Sequence, residues 1–290
     1  MTEQHGFLLP GTSKTGVLLI HGLTGTPNEM RGVARELNQA GHTVCAVQLA
    51  GHCGSIDDLI ATRWQDWYQS VINAAHKLRQ QVDCLVVGGL SMGAVLALKY
   101  ASEFPVNGVL AYSATFRYDG WSIPVISRWA APCLLPLAAF LHLGRHRMFN
   151  EKEPYGVCNE VLRRRIAKSM QEEDSAVAGL PGNPWPSLNE MMALSRSVRR
   201  ALPQVVAPCL VLHAENDDIA HRRNALLIRD RVSGQVDLAL LKNSYHMITI
   251  DNDRAELIAR TLRFIQQQTD TQKIRRPAPL PLQTTVGTPA

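Results

Sequence analysis

Residues 87–95 read VGGLSMGAV, and the interpretation of this stretch decides the fold. An apolar run, Cys84 to Val87, leads into a single serine, Ser91, set between Gly89 and Gly93 and followed by small apolar residues. One reading is a glycine-rich turn that contains a serine. The other is a strand-to-helix corner that holds a nucleophile in a strained backbone conformation, its glycines relieving the crowding against strand and helix. There the hydroxyl would stand clear of a sheet at a helix N-terminus, where the dipole favours developing negative charge.

Outward from this corner, short apolar runs alternate with helical segments. The runs are Val17–His21, Val44–Val47, Leu85–Gly89, Gly108–Tyr112, Cys209–His213 and Val236–Leu241. Those before about residue 115 are continuous rather than alternating in polarity, as expected for strands buried on both faces of a parallel sheet. Between them, 26-TPNE-29 predicts a helix start with Thr26 as N-cap, Pro27 at the first position and Glu29 closing a capping box. A second helix is predicted from about Arg63 to Gln80, and a third directly after Ser91. This alternation predicts an α/β fold with a mostly parallel, doubly wound sheet.

The alternation stops between Thr115 and Pro203, where no strand is evident. That stretch carries the apolar segment 121-WSIPVISRWAAPCLLPLAAFLHLG-144, a basic helix around Val161–Met170, the loop 179-GLPGNPWP-186 and a helix opened by 187-SLNE-190. The expected organisation is a core in two parts, 1–114 and 204–266, a helical cap at 115–203, and a disordered Pro-rich tail at 267–290. Arg128 and prolines 124, 132 and 136 break the apolar segment well short of the roughly 20 residues needed to span a bilayer. It could still lie on a lipid surface or line an apolar pocket.

Composition excludes several function classes. A formal charge of +5 over 290 residues is mild, and no basic face is interleaved with aromatics, so nucleic acid is not the expected partner. The six cysteines form no CxxC or Cys/His cluster, and Cys45, Cys84 and Cys209 sit in apolar runs as small hydrophobes. No metal or cofactor is therefore expected, and a reducing compartment is. The start MTEQHGFLLPG lacks a basic, long-apolar leader, which predicts a cytoplasmic protein. Oligomeric state is not legible.

A serine hydroxyl needs a base, and the base an orienting acid. His246, in 243-NSYHMITID-251 after the last strand, is the candidate base among ten histidines. His21 and His52 are read as bracing turns, and His5, His42 and His76 as exposed. The strand 209-CLVLHA-214 opens into a loop with Asp217, the candidate acid; Asp218 is the fallback, otherwise a solvated loop charge. The order Ser91, Asp217, His246 is that of α/β-hydrolases. Acyl transfer also needs backbone donors for the tetrahedral oxygen, and 20-IHGLTGTP-27 can offer the amide of Leu23 beside that of Met92.

With HGLTGTP, GHCG, RWQDWYQSV, GLSMGA, HAENDD and SYHMITID in hand, the sequence resembles the α/β-hydrolase superfamily, in particular bacterial carboxylesterases and monoacylglycerol lipases. The similarity covers about 15–114 and 205–264. It implies Ser91 as nucleophile, Asp217 as acid, His246 as base, and Leu23 and Met92 as oxyanion donors. It fades in the cap, which is longer and more apolar than in compact carboxylesterases. Trp121, Trp129, Leu134 and Phe140 of the cap are the candidate binding residues for a medium or long acyl chain, although they would equally serve to pack the cap on the sheet. The expected activity is ester hydrolysis through an acyl-enzyme. Thioesterase, amidase or acyltransferase chemistry, or ligand binding without turnover, are the alternatives.

Overall fold

A computed structural model describes residues 5–141, 143–150, 152–172 and 179–275 of the chain. Seven strands form one sheet: β1 (Phe7–Leu9), β2 (Thr15–Ile20), β3 (Thr43–Val47), β4 (Cys84–Leu90), β5 (Gly108–Tyr112), β8 (Cys209–Ala214) and β9 (Val236–Leu241). Their order is β1-β3-β2-β4-β5-β8-β9, and all pairs are parallel except β1 with β3. The six strands expected from the apolar runs all form. The seventh, β1, was not expected. It is a three-residue edge strand with only alternate burial, too short for a periodic signal.

Strand β2 shows why the pattern was legible: all six residues, TGVLLI, are buried. Val17 and Leu19 face one layer with Val33, Leu37 and Phe264, from α1 (Arg31–Gln39) and α9 (Arg254–Arg275). Leu18 and Ile20 face the other with Trp67, Leu96, Val198 and Ile228. Those side chains belong to α3 (Trp64–Arg79), α4 (Met92–Glu103), α7 (Trp185–Ala201) and α8 (Arg223–Arg231). The result is the expected doubly wound sheet. After β2 the chain steps to β3 on one side and then to β4 on the other, so the strand order reverses between β2 and β4, where ligands of such sheets bind.

Local starts differ from the sequence reading in three places. Thr26 does cap, accepting from Asn28 N at 3.3 Å, but it opens a 3-10 turn (Pro27–Met30), and Glu29 turns away to accept from Gly22 N at 3.1 Å. At 187-SLNE-190 there is no cap. The helix begins at Trp185 behind Pro184, Ser187 is buried inside it, and Glu190 accepts from Trp64 N. At the other end, α9 runs through Arg275, so the expected tail is helical over 267–275, and residues 276–290 lie outside the described residues.

Between β5 and β8 stand α5 (Val125–Phe140), α6 (Glu160–Glu172) and α7, together with a short antiparallel ribbon, β6 (Met148–Asn150) on β7 (Gly182–Pro184). The ribbon corrects the expectation of no strand here. Its partners are 34 residues apart at the centre of the pairing, Phe149 on Asn183, which hides them from local patterning. Helix α5 includes Pro132 and Pro136, and Leu135 is its one fully buried side chain. Among the described residues no helix is long and apolar enough to cross a membrane.

Candidate active site

The corner after β4 is strained as the sequence suggested. Ser91 has φ 57° and ψ −115°, in the left-handed half of backbone space that disfavours a side chain. Its amide donates to Tyr112 O at 2.9 Å. The neighbouring glycines are sterically required, because a Cβ on Gly89 or on Gly93 would collide with the carbonyl of Ile20. The Ser91 side chain is 8% exposed. Its Oγ lies 3.0 Å from Thr115 Oγ1, a buried residue beyond β5 that the sequence reading did not single out.

His246 follows β9, and its Nδ1 lies 2.8 Å and 3.0 Å from the two carboxylate oxygens of Asp217, which follows β8. Asp217 also accepts from Ile219 N and Ala220 N at 2.9 and 2.7 Å. Burial by itself would raise its pKa, but the facing His246, by charge and hydrogen bond, and His213 outweigh it and hold the carboxyl below its usual range. An ionised acceptor requires Nδ1 of His246 to carry a proton, which puts the lone pair of the neutral ring on Nε2.

His213, the fifth residue of β8, is a second imidazole on the same carboxylate and was also missed in the sequence. Its Nε2 lies 2.7 Å from Ala220 O and 3.3 Å from Asp217 Oδ2. Both neighbours are acceptors, so Nε2 bears the proton, while burial lowers its pKa and keeps the ring neutral. The signal was present, a histidine four residues before Asp217, but it reads equally well as the end of a strand.

Asp218 is not a solvated loop charge. It is fully buried, accepting from His246 N at 3.3 Å and Gly156 N at 3.1 Å, and burial raises its pKa. It therefore ties the His246 loop to the 115–203 insert. Asp251 does the same through Cys158 N, Asn159 N and Tyr245 N, at 2.7, 3.0 and 2.9 Å. On the opposite side, Leu180 N of the insert donates to Thr24 O at 3.0 Å.

The loop after β2 abuts the serine: a Cβ built on Gly22 would be 3.6 Å from Ser91 Cβ. His21 fixes this loop, its Nε2 accepting from Leu49 N at 3.3 Å and its Nδ1 donating to Gly22 O at 2.9 Å. Glu29 takes the Gly22 amide. The amides of Leu23 and Met92, at the ends of β2 and β4, make no hydrogen bond among the described residues. Burial, then the neighbouring His52, lowers His21 to a pKa of about 3, and burial lowers His52 to about 4. His52 packs 5.0 Å from the His21 ring and bonds Ala50 O, so it does hold a turn. His42, expected to be exposed, is 8% exposed and lies 3.3 Å from Ser13 Oγ.

The four expected binding residues separate. Trp121 reaches the site's rim, donating to Asn216 O at 2.9 Å with its ring 5.5 Å from that of Tyr245. Trp129 and Phe140 on α5 are 81% and 80% exposed, and Leu134 is also exposed. These three neither pack the insert on the sheet nor line a closed cavity. Among the described residues no group of three or more His, Cys, Asp or Glu could hold a metal ion.

Comparison with known proteins matches residues 11–253 to the family described as serine aminopeptidase, S33. A thermostable monoacylglycerol lipase of Bacillus sp. (strain H-257) is 29% identical over 86% of this chain and 89% of its own. A carboxylesterase of Bacillus subtilis (strain 168) is 25% identical over 84% and 91%. A solved structure from work on LipS and LipT, two metagenome-derived lipolytic enzymes, superposes with a TM-score of 0.74 at 26% identity. It covers 91% of this chain and 98% of that one.

Proposed function

The chain belongs to the serine aminopeptidase, S33 family, and from that premise we propose that it is a serine hydrolase cleaving carboxylic esters of apolar acyl groups. The observation that carries the reading is the bidentate Asp217–His246 pair on the same sheet edge as a serine held at positive φ. His246 Nε2 removes the Ser91 proton as Oγ attacks the ester carbonyl, and Asp217 stabilises the imidazolium. The free amides of Leu23 and Met92 receive the oxyanion, where one such donor counts for about 3–4 kcal/mol. The imidazolium then protonates the leaving alcohol. Water, activated by the same histidine, releases the acid and restores Ser91.

The substrate class follows from the lipolytic relatives and from α5. Its exposed face carries Ile126, Trp129, Leu137 and Phe140, continued by exposed Arg145 and Arg147. Apolar side chains flanked by cations suit an anionic lipid surface, which would present water-insoluble esters to the rim at Trp121. A second reading, cleavage of aminoacyl amides by the same residues, is favoured by the family's description.

The test is hydrolysis of p-nitrophenyl esters from acetate to palmitate, beside aminoacyl p-nitroanilides, by the wild type and Ser91→Ala. Turnover confined to esters and lost in the variant is expected. Turnover confined to anilides would move the reading to the amidase, and ester turnover retained by folded Ser91→Ala would overturn the mechanism. Sedimentation with anionic vesicles, weakened by Trp129→Ser with Phe140→Ser, tests the lipid face. Unchanged retention would refute it.

A further inference from the structure

The hydroxyl chain at the elbow has a defined direction. Thr115 Oγ1 lies 3.1 Å from Ser113 O, to which it can only donate. A hydroxyl has one proton, so with that proton on Ser113 O, the 3.0 Å contact with Ser91 has Ser91 donating and Thr115 accepting. The acceptor carbonyl is itself fixed. Ser113 is buried at φ 42°, its amide donating to Leu212 O on β8 at 2.8 Å. Thr115 is fully buried as well.

We propose that Thr115 is a catalytic hydrogen-bond donor to Ser91, an inference that rests on Ser91 being the nucleophile. When His246 takes the Ser91 proton, the lone pairs of Ser91 Oγ become the strongest acceptor within reach of Thr115. The Thr115 hydroxyl then turns from Ser113 O to Ser91 Oγ and donates to the developing alkoxide. Its proton stays on Thr115 throughout; only the acceptor changes. In the acyl-enzyme Ser91 Oγ is an ester oxygen and a poor acceptor, so Thr115 returns to Ser113 O. It donates again as Ser91 leaves during deacylation. A hydrogen bond to a charged oxygen is worth more than one to a neutral oxygen, so the contact favours the transition state over both ground states.

Thr115→Val keeps the shape and removes the donor, and Thr115→Ser restores it. A fluorophosphonate probe that phosphonylates the nucleophile reads Ser91 reactivity without dependence on the acyl pocket. Expected is a labelling rate and kcat for Thr115→Val roughly 10- to 100-fold below the wild type, KM nearly unchanged, and Thr115→Ser within a few-fold of the wild type. If valine fails to fold by its thermal transition, Thr115→Ala carries the same expectation. Wild-type rates in a folded valine or alanine variant would overturn the inference while leaving the serine-hydrolase reading intact. A wild type that does not label at Ser91 would overturn both.

Discussion

Asp251→Asn probes the joint between the insert and the His246 loop. The carboxylate is 4% exposed and accepts four backbone amides. Oδ2 takes Cys158 N at 2.7 Å and Tyr245 N at 2.9 Å; Oδ1 takes Asn159 N at 3.0 Å and Asn252 N at 2.9 Å. Asparagine can keep one oxygen on one pair, but it then turns an NH2 toward the other pair, setting donor against donor. Each hydrogen bond to a charged acceptor contributes about 1.5–3 kcal/mol, and two are lost. Partial exposure of the donors discounts the sum to roughly 2–4 kcal/mol, or about 3–7 °C in Tm for a chain of this size. Because Tyr245 adjoins His246, kcat should fall about 10- to 100-fold through misplacement of the base. Urea unfolding gives the stability, and hydrogen exchange should show the Cys158 and Tyr245 amides losing protection while strand β4 keeps its own. Stability within about 0.5 kcal/mol of the wild type, with both amides still protected, would refute the clamp.

Three further outcomes are expected. Asp217→Asn preserves the shape but lets His246 take the wrong tautomer, so kcat should fall about 10⁴-fold; a loss below tenfold in a steady-state assay of the folded variant removes Asp217 from the proposed role. His21 and His52 are held neutral at pKa values of about 3 and about 4. The unfolded rings titrate near 6.5, so the unfolded state binds more protons below that pH and stability falls as pH falls. At pH 5 each ring should account for about 2 kcal/mol relative to pH 7.5, and His52→Gln should flatten the measured Tm–pH slope between these values. Gly93→Ala gains about 1 kcal/mol of helix propensity but drives its Cβ into Ile20 O, so α4 must shift from β2. A net loss of about 1–3 kcal/mol and a slower phosphonylation of Ser91 are expected, and an alanine variant at least as stable as the wild type would contradict the packing argument.

The parts of the fold that were legible share a physical cause. Strands β2, β4, β5 and β8 are buried on both faces, and burial of every residue writes a continuous apolar run that needs no partner to be recognised. The elbow was legible because its strain demands glycine at two fixed offsets from Ser91. Asp217 and His246 were legible through chain order, and they do meet. The misread or missed residues depend on partners far along the chain. Asp218 reads as a loop charge until Gly156 N, 62 residues away, is placed on it. Thr115 reads as a turn residue until Ser91, 24 residues away, is beside it.

The insert shows the same distinction in reverse. Apolarity in 121–144 could not say whether protein, lipid or solvent would meet the side chains, and most of those on α5 are exposed. Only Leu135 of α5 is fully buried, so the fold places almost no demand on the identity of Trp129, Leu137 or Phe140. The backbone on either side is constrained far more tightly: before α5, Ser122 donates through its amide and its hydroxyl to Asp218 O at 3.0 and 2.7 Å. After it, Gly156, Cys158 and Asn159 are bonded to Asp218 and Asp251 beside His246, and Leu180 is bonded to Thr24 in the loop that carries Leu23. An element with a free outer face, anchored at both ends to the catalytic loops, can change its surface without loss of fold. It cannot change its anchors without moving the proposed base or the loop of the proposed oxyanion donor Leu23. Substitutions on the α5 face should therefore alter which substrates reach the site, while substitutions at the anchors should alter the rate on all of them.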